Sequence, residues 1–226
     1  REGFEVLVSR PEVIFQKASD GSVLEPIETL YAEIPTFALG DIMGNLAGRK
    51  AEIEDMKPHG DNTSLVAAIP TRGLIGFETD LQNLTKGMGI ISHLFREYGA
   101  FRGEIPSRIN GVLIALEAGT SMAYSLDNLQ ERGTLFVGPQ EDIYAGMIVG
   151  ENTRPADMVV NPCKAKNLTN MRSQGDGKGI TLTPPLKHSL ERGLEYLSED
   201  EYLEVTPKTL RFRKKILDHT KRKRSE

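Results

Sequence analysis

Cysteine is nearly absent from this 226-residue chain, where Cys163 stands alone. A single thiol forms no internal bridge, so a disulfide-built scaffold is excluded and a reducing compartment suits the composition. The Asn-x-Ser/Thr strings at Asn62, Asn83 and Asn167 are accordingly read as chance, because glycosylation requires secretion. No apolar run approaches the ~18 residues of a membrane-crossing helix. Glycine has no period of three, which excludes a collagen-like chain. Hydrophobic residues make up 38% and charged residues 27%, so wholesale disorder is excluded as well.

Catalytic signatures are equally scarce. No G-x-x-x-x-G-K-[ST] phosphate loop occurs, and GDGKG at 175–179 has neither its spacing nor a strong preceding strand. Asp41-Ile42-Met43-Gly44 matches a short D-x-x-G string of GTP-binding proteins, but Ile42 and Met43 fall on the core face of an amphipathic helix. His59, His93, His188 and His219 are scattered, without a His or Cys neighbour at metal spacing. Cys163 has no histidine nearby and reads as a small buried residue. No G-x-S-x-G string stands out. The acidic stretch 198–204 reads as a solvated link between elements. No catalytic residue, cofactor or metal is therefore expected within these 226 residues.

What is present is a change of texture along the chain. Ile27 to Ile34 alternates as a strand, and Pro35 stops it. Leu39, Ile42, Met43 and Leu46 recur at helical spacing. A polar strand near 51–57, a turn at PHGDN and a short apolar run from Leu65 to Ile69 follow. Phe77, Leu81 and Leu84 mark a second helix that Gly87 ends, and Ile90 to Tyr98 reads as a last strand. The order is βαββαβ, which predicts a ferredoxin-like domain at 25–102. From Gly103 onward short strands at 111–118, 121–126, 134–137 and 146–150 alternate with glycine turns. DNLQERG suggests a turn or two of helix. Leu186, Leu190, Leu194 and Leu197 predict a helix, and strands are expected at 202–205 and 209–212. The fold class is α+β: a ferredoxin-like domain followed by a mixed, mostly β domain at 103–226. Residues 1–24 are strand-like almost from the first residue, which is Arg. They are expected to be the end of a preceding domain in a longer protein.

Charge is segregated. Between Lys208 and Glu226 nine basic residues face two acids, a net +7, whereas the other 207 residues carry 19 basic and 30 acidic side chains, a net −11. Such asymmetry predicts a polyanion-binding end on an acidic body. The last six residues fit a frayed, solvated terminus as well. Arg211, Arg213, Lys214 and Lys215 lie beside Leu210, Phe212, Ile216 and Leu217, which anchor that segment to a core. A second basic, hydrogen-bonding segment is the long polar loop at 164–187. It carries Lys164, Lys166, Asn167, Arg172, Lys178 and Lys187 against the single acid Asp176. A flexible loop of this chemistry can mould itself to phosphates and splayed bases, and loops of this length are often functional or disordered.

The strings REGFEVLVSRPEVIF, EPIETLYAEIPTFALGDIMGNLAGRKAEI, IPTRGLIGFETDLQNLTKGMG and NGVLIALEAGTSMAYSLDNLQERGTLFVGPQEDIYAGMIVGENTRPADMVVNPCKAKNLTNMR carry a resemblance. The second and third are similar to the C-terminal ferredoxin-like domain of elongation-factor-G-type translational GTPases. RGLIGF, with the strings on either side, resembles the BipA/TypA family over essentially the whole chain. The resemblance implies a bacterial or plastid ribosome-associated GTPase of which this is the C-terminal part. Residues 1–24 would end a first ferredoxin-like domain, 25–102 form a second and 103–226 form the family-specific domain. GTP and Mg²⁺ would belong to a GTPase domain outside this sequence. The implied partner is the ribosome: large-subunit RNA in the A-site region and the tRNA acceptor end, reached through a loop where residues 166–179 stand. Cytoplasmic localisation follows, with large-subunit assembly, translation, stress response and virulence as the processes served; neither a membrane nor DNA is an expected partner. Two rival readings of the residues remain. One is a small-molecule-sensing regulatory module, since ferredoxin-like units also form ligand-sensing dimers. The other is an enzyme whose site is assembled from distant residues.

Overall fold

The structure, a computed structural model, describes residues 3–105, 108, 110–165 and 180–225. In chain order its strands and helices begin with β1 (Val6–Val8), β2 (Gln16–Lys17), β3 (Val23–Pro35), α1 (Leu39–Gly48), β4 (Glu52–His59) and β5 (Asn62–Pro70). Next come α2 (Thr71–Leu74), α3 (Phe77–Leu84), β6 (Ile90–Ala100), β7 (Val112–Ala115), β8 (Gly119–Thr120), α4 (Ala123–Gln130) and β9 (Gly133–Leu135). The last are β10 (Asp142–Ile143), β11 (Met147–Asn152), β12 (Met158–Val160), α5 (Leu190–Tyr196), β13 (Glu201–Val205), β14 (Leu210–Lys214) and α6 (His219–Ser225). Contacts divide the chain into two units, 11–107 and 1–10 with 108–226.

The 11–107 unit is the ferredoxin-like arrangement. Its antiparallel strands lie in the order β6-β3-β5-β4, with β2 pairing the start of β3. Alternation along β3 sends Leu30, Ala32 and Ile34 to the helical side, where Ile42 and Leu46 of α1 and Phe77 and Leu81 of α3 cover them. Sheet and helices thus share one dry layer, the usual solution for a sheet hydrophobic on one face. The RGLIGF string is the α2–α3 corner. Gly76 takes φ +74° to turn it, a conformation glycine adopts without a Cβ penalty. The Arg49 guanidinium locks this corner to the end of α1 by donating to the carbonyls of Gly73 (2.6 Å) and Ile75 (2.7 Å) and pairing with Asp80 (2.7 Å).

The other unit is built on a sheet ordered β1-β13-β14-β11-β7-β12, with β9 also on β11 and a separate β8–β10 pair. β12 runs parallel to β7 and the other pairings are antiparallel. The sheet packs two cores. One gathers Leu126, Leu135, Met147 and Val149, and the other Ile114, Ile148, Leu197, Leu203 and Phe212.

Three expectations differ from what forms. Residues 121–126 are not a strand: the alternation of Met122, Tyr124 and Leu126 leaves the first two exposed, while Leu126 and Leu129 bury at helical spacing in α4. The leucine series from Leu186 overstates a helix. Leu186 lies ahead of the helix and donates its N–H to the Leu135 carbonyl at 2.8 Å. α5 starts only after Ser189, whose Oγ accepts the Arg192 N–H. Residues 1–24 do not form one segment. β1 pairs β13 in the C-terminal unit, Val6 opposite Val205, whereas β2 belongs to the ferredoxin-like unit.

Candidate nucleic-acid interface

Strand alternation sorts the basic run at 210–215 onto two faces. Phe212 enters the core on one side with Leu210 beside it, and Lys214 follows on that side. Lys214 is buried, and its Nζ meets Asp157 and Asp200 at 2.7 Å and Glu201 at 3.0 Å. Burial works against its charge, but Glu201, Asp157 and Asp200 outweigh it and hold the ammonium above the ordinary lysine pKa. Lys214 is therefore a structural cation, and it leaves the set of candidate RNA contacts.

Arg211 and Arg213 lie on the other face of β14, and the exposed Lys215 follows the strand. The register puts Tyr202 of β13 opposite Arg213 and Glu204 opposite Arg211. The Arg213 guanidinium lies 6.0 Å and the Lys215 ammonium 5.2 Å from the centre of the Tyr202 ring. Two cations thus stand beside one aromatic ring, which sets phosphate-binding charge next to a π surface. Glu204 moderates the field through its 3.4 Å contact with Arg213. Tyr144 is drawn into the same group: burial first, and Glu204 second, push its phenol well above the usual tyrosine range. Tyr202 carries no signal in composition. It becomes visible only when 202–205 and 209–212 are read as one hairpin whose register sets Tyr202 beside Arg213.

Lys187 is exposed and lines a cleft of about 580 Å³ together with Arg211, so the structure brings these two predicted residues to one place. Lys208, at the β13–β14 turn, lines it too. Lys164 is exposed just past β12. Lys166, Asn167, Arg172 and Lys178 lie outside the described residues. Among the described residues no group of three or more His, Cys, Asp and Glu side chains is placed to hold a metal ion. No helix among them is long and apolar enough to cross a membrane.

The ferredoxin-like unit has the class of fold found at the end of translation elongation factors, and residues 22–109 match the family model of the elongation factor G C-terminus. Residues 110–219 match that of the TypA/BipA C-terminal domain. With both matches in this order, the chain belongs to the BipA/TypA family. It is 42% identical over its whole length to the large ribosomal subunit assembly factor BipA of Bacillus subtilis, covering 37% of that protein. The proteins of the same name from Haemophilus influenzae (42% identity, all of this chain, 37% of the relative) and Synechocystis (40%, 95% and 36%) are similar. The chain spans under two fifths of the length of these relatives.

Proposed function

We propose that this chain is the ribosome-docking part of a larger translational GTPase that acts in assembly of the large ribosomal subunit. Its relatives carry that assembly role in their names. The observation that carries docking is the placement of Arg213 and Lys215 beside the Tyr202 ring, with Arg211 on the same face of the hairpin. Cations supply the salt-dependent grip on phosphate and the ring supplies a platform for an unstacked base. The surface gripped is large-subunit RNA in the A-site region together with the tRNA acceptor end. Lys164 and Lys187, with Lys166, Asn167, Arg172 and Lys178 of the neighbouring segment, add to the contact. GTP and Mg²⁺ belong to another part of the parent protein, whose nucleotide state sets ribosome engagement in the cytoplasm. Stress response and virulence are the wider processes served.

The test is co-sedimentation of the 226-residue chain with ribosomes across a salt series. Binding should weaken steeply with salt. The Arg211→Gln, Arg213→Gln, Lys215→Gln triple variant should lose about two to three units of the log–log slope, roughly one per phosphate contact. Affinity indifferent to salt, or a triple variant with the parental slope, overturns docking through this face.

A further inference from the structure

The cleft beside the β13–β14 turn joins Lys187 and Arg211 to apolar and acidic side chains. Its volume of about 580 Å³ falls within the range of sites that enclose a small molecule. Part of its wall is apolar: Phe136 and Phe212 contribute, and Leu186 remains half-exposed there. Those two phenylalanines stack edge-on into a cluster with Tyr196 and His188, which backs the wall with rigid rings.

Three cations, Lys187, Lys208 and Arg211, line the same space and form no ion pair among the described residues. Lys208 sits on a fixed turn, because Thr206 Oγ1 accepts the Thr209 N–H at 2.9 Å and the Thr206 and Thr209 hydroxyls lie 3.0 Å apart. Two carboxylates, Glu141 and Asp142, complete the lining. Glu141 holds the Gly138 N–H at 2.9 Å with one oxygen, which leaves the other to accept from a ligand.

Each feature excludes a class of occupant. Three cations without an ion pair among the described residues do not suit a purely apolar body. Two carboxylates disfavour a bare phosphate or sulfate. A ligand that fits carries a flat apolar body, an anionic group and separate N–H donors. We propose that this cleft seats one nucleotide whose base bears an exocyclic amino group. In it the base lies against Leu186 and Phe136, its amino group donates to Glu141 or Asp142, and its phosphate lies among Lys187, Lys208 and Arg211. Carboxylates accept from the exocyclic amino group of cytosine, where uracil presents a carbonyl oxygen that a carboxylate repels and has only its ring N3–H to donate. The site extends the docking reading by naming the unit of ligand gripped, and rests on it only for the source of the nucleotide.

Equilibrium dialysis of the 226-residue chain against cytidine and uridine 5′-monophosphates tests the site. Cytidylate should bind saturably and uridylate about five-fold more weakly, the worth of one hydrogen bond. The Lys187→Ala, Lys208→Ala double variant should lose about ten-fold in cytidylate affinity. Both lysines are exposed, and an unchanged melting temperature confirms that the variant folds. Asp142→Asn should bring the cytidylate-to-uridylate ratio toward one. Equal binding of the two nucleotides, binding of neither, or indifference to the double variant overturns the site. A cytidine tetranucleotide that binds at least ten-fold tighter than the monophosphate marks single-stranded RNA as the source; equal affinity marks a free nucleotide. Ribosome binding that is salt-steep while no nucleotide binds removes the cleft and keeps docking. Nucleotide binding without ribosome binding does the reverse.

Discussion

Lys214 Nζ lies 3.0 Å from Glu201 Oε1 inside the β-rich unit, with the lysine 2% and the glutamate 0% exposed. Arg108 donates to both oxygens of the same carboxylate at 2.9 and 3.1 Å, and the Ser198 N–H donates to it at 3.0 Å. This network ties β13 and β14 to the segment that enters β7. Removing one member leaves a buried charge short of a partner, which costs more than the intact network contributes.

Lys214→Ala should therefore destabilise the β-rich unit by about 3–5 kcal/mol in chemical denaturation. Lys215→Ala, one position on, removes only an exposed cation above Tyr202 and should change stability by less than about 1 kcal/mol. If the two variants unfold at the same denaturant concentration, Lys214 has no structural role.

Tyr202 offers a ring rather than a charge, and its variants separate stacking from salt. Tyr202→Ala should weaken binding to a ribosomal RNA fragment by about 1–3 kcal/mol at fixed salt. Tyr202→Phe should retain that affinity. Both should keep the parental salt slope, measured by titration at several ionic strengths, because neither removes a cation.

His188 is wedged among Phe136, Tyr196 and Phe212, at ring separations of 4.9–5.2 Å. Burial first, then Arg192, push its pKa below the ordinary 6.5. The unfolded chain thus takes up a proton more readily than the folded one. The stability this represents is whole above pH 6.5 and is lost as pH falls through the folded value. Melting temperature should decline on acidification below pH 6.5, and His188→Phe should flatten that part of the profile.

Two glycines should respond in opposite directions to alanine. A Cβ on Gly133 would stand 1.8 Å from the Glu151 carbonyl oxygen, in the β9–β11 pairing, with no flexible side chain to yield. Gly133→Ala should destabilise the β-rich unit by several kcal/mol, as forced backbone shifts do. Gly44 lies inside α1 with open space around its Cβ position. Gly44→Ala should stabilise the ferredoxin-like unit by about 0.5–1 kcal/mol, read from its thermal unfolding.

The ferredoxin-like unit was legible because its signals are local. The Leu39, Ile42, Met43 and Leu46 spacing falls in α1, and Phe77, Leu81 and Leu84 fall in α3. Long strands with an alternating face did the rest. The β-rich unit hid its order because its strands are short and their partners distant. β11 alone pairs β7, β9 and β14, and none of these pairings leaves a period in the sequence. The basic segment was visible as composition, but composition does not tell an outward cation from an inward one. Arg213 and Lys214 are neighbours in the chain and opposites in role. The period of two running from Leu210 through Phe212 already pointed Lys214 inward; its carboxylate partners came from residues 157, 200 and 201, visible only after folding.

The pairing of Val6 with Val205 makes the β-rich unit discontinuous in sequence, with the whole ferredoxin-like unit threaded between its first strand and its remainder. On a ribosome that synthesises this protein, residues 6–8 must wait for nearly two hundred more before their partner strand exists. Closing so long a loop is slow. Cutting the chain at residue 108 to isolate the C-terminal unit would strip β1 from β13 and bare a sheet edge able to recruit strands from other molecules.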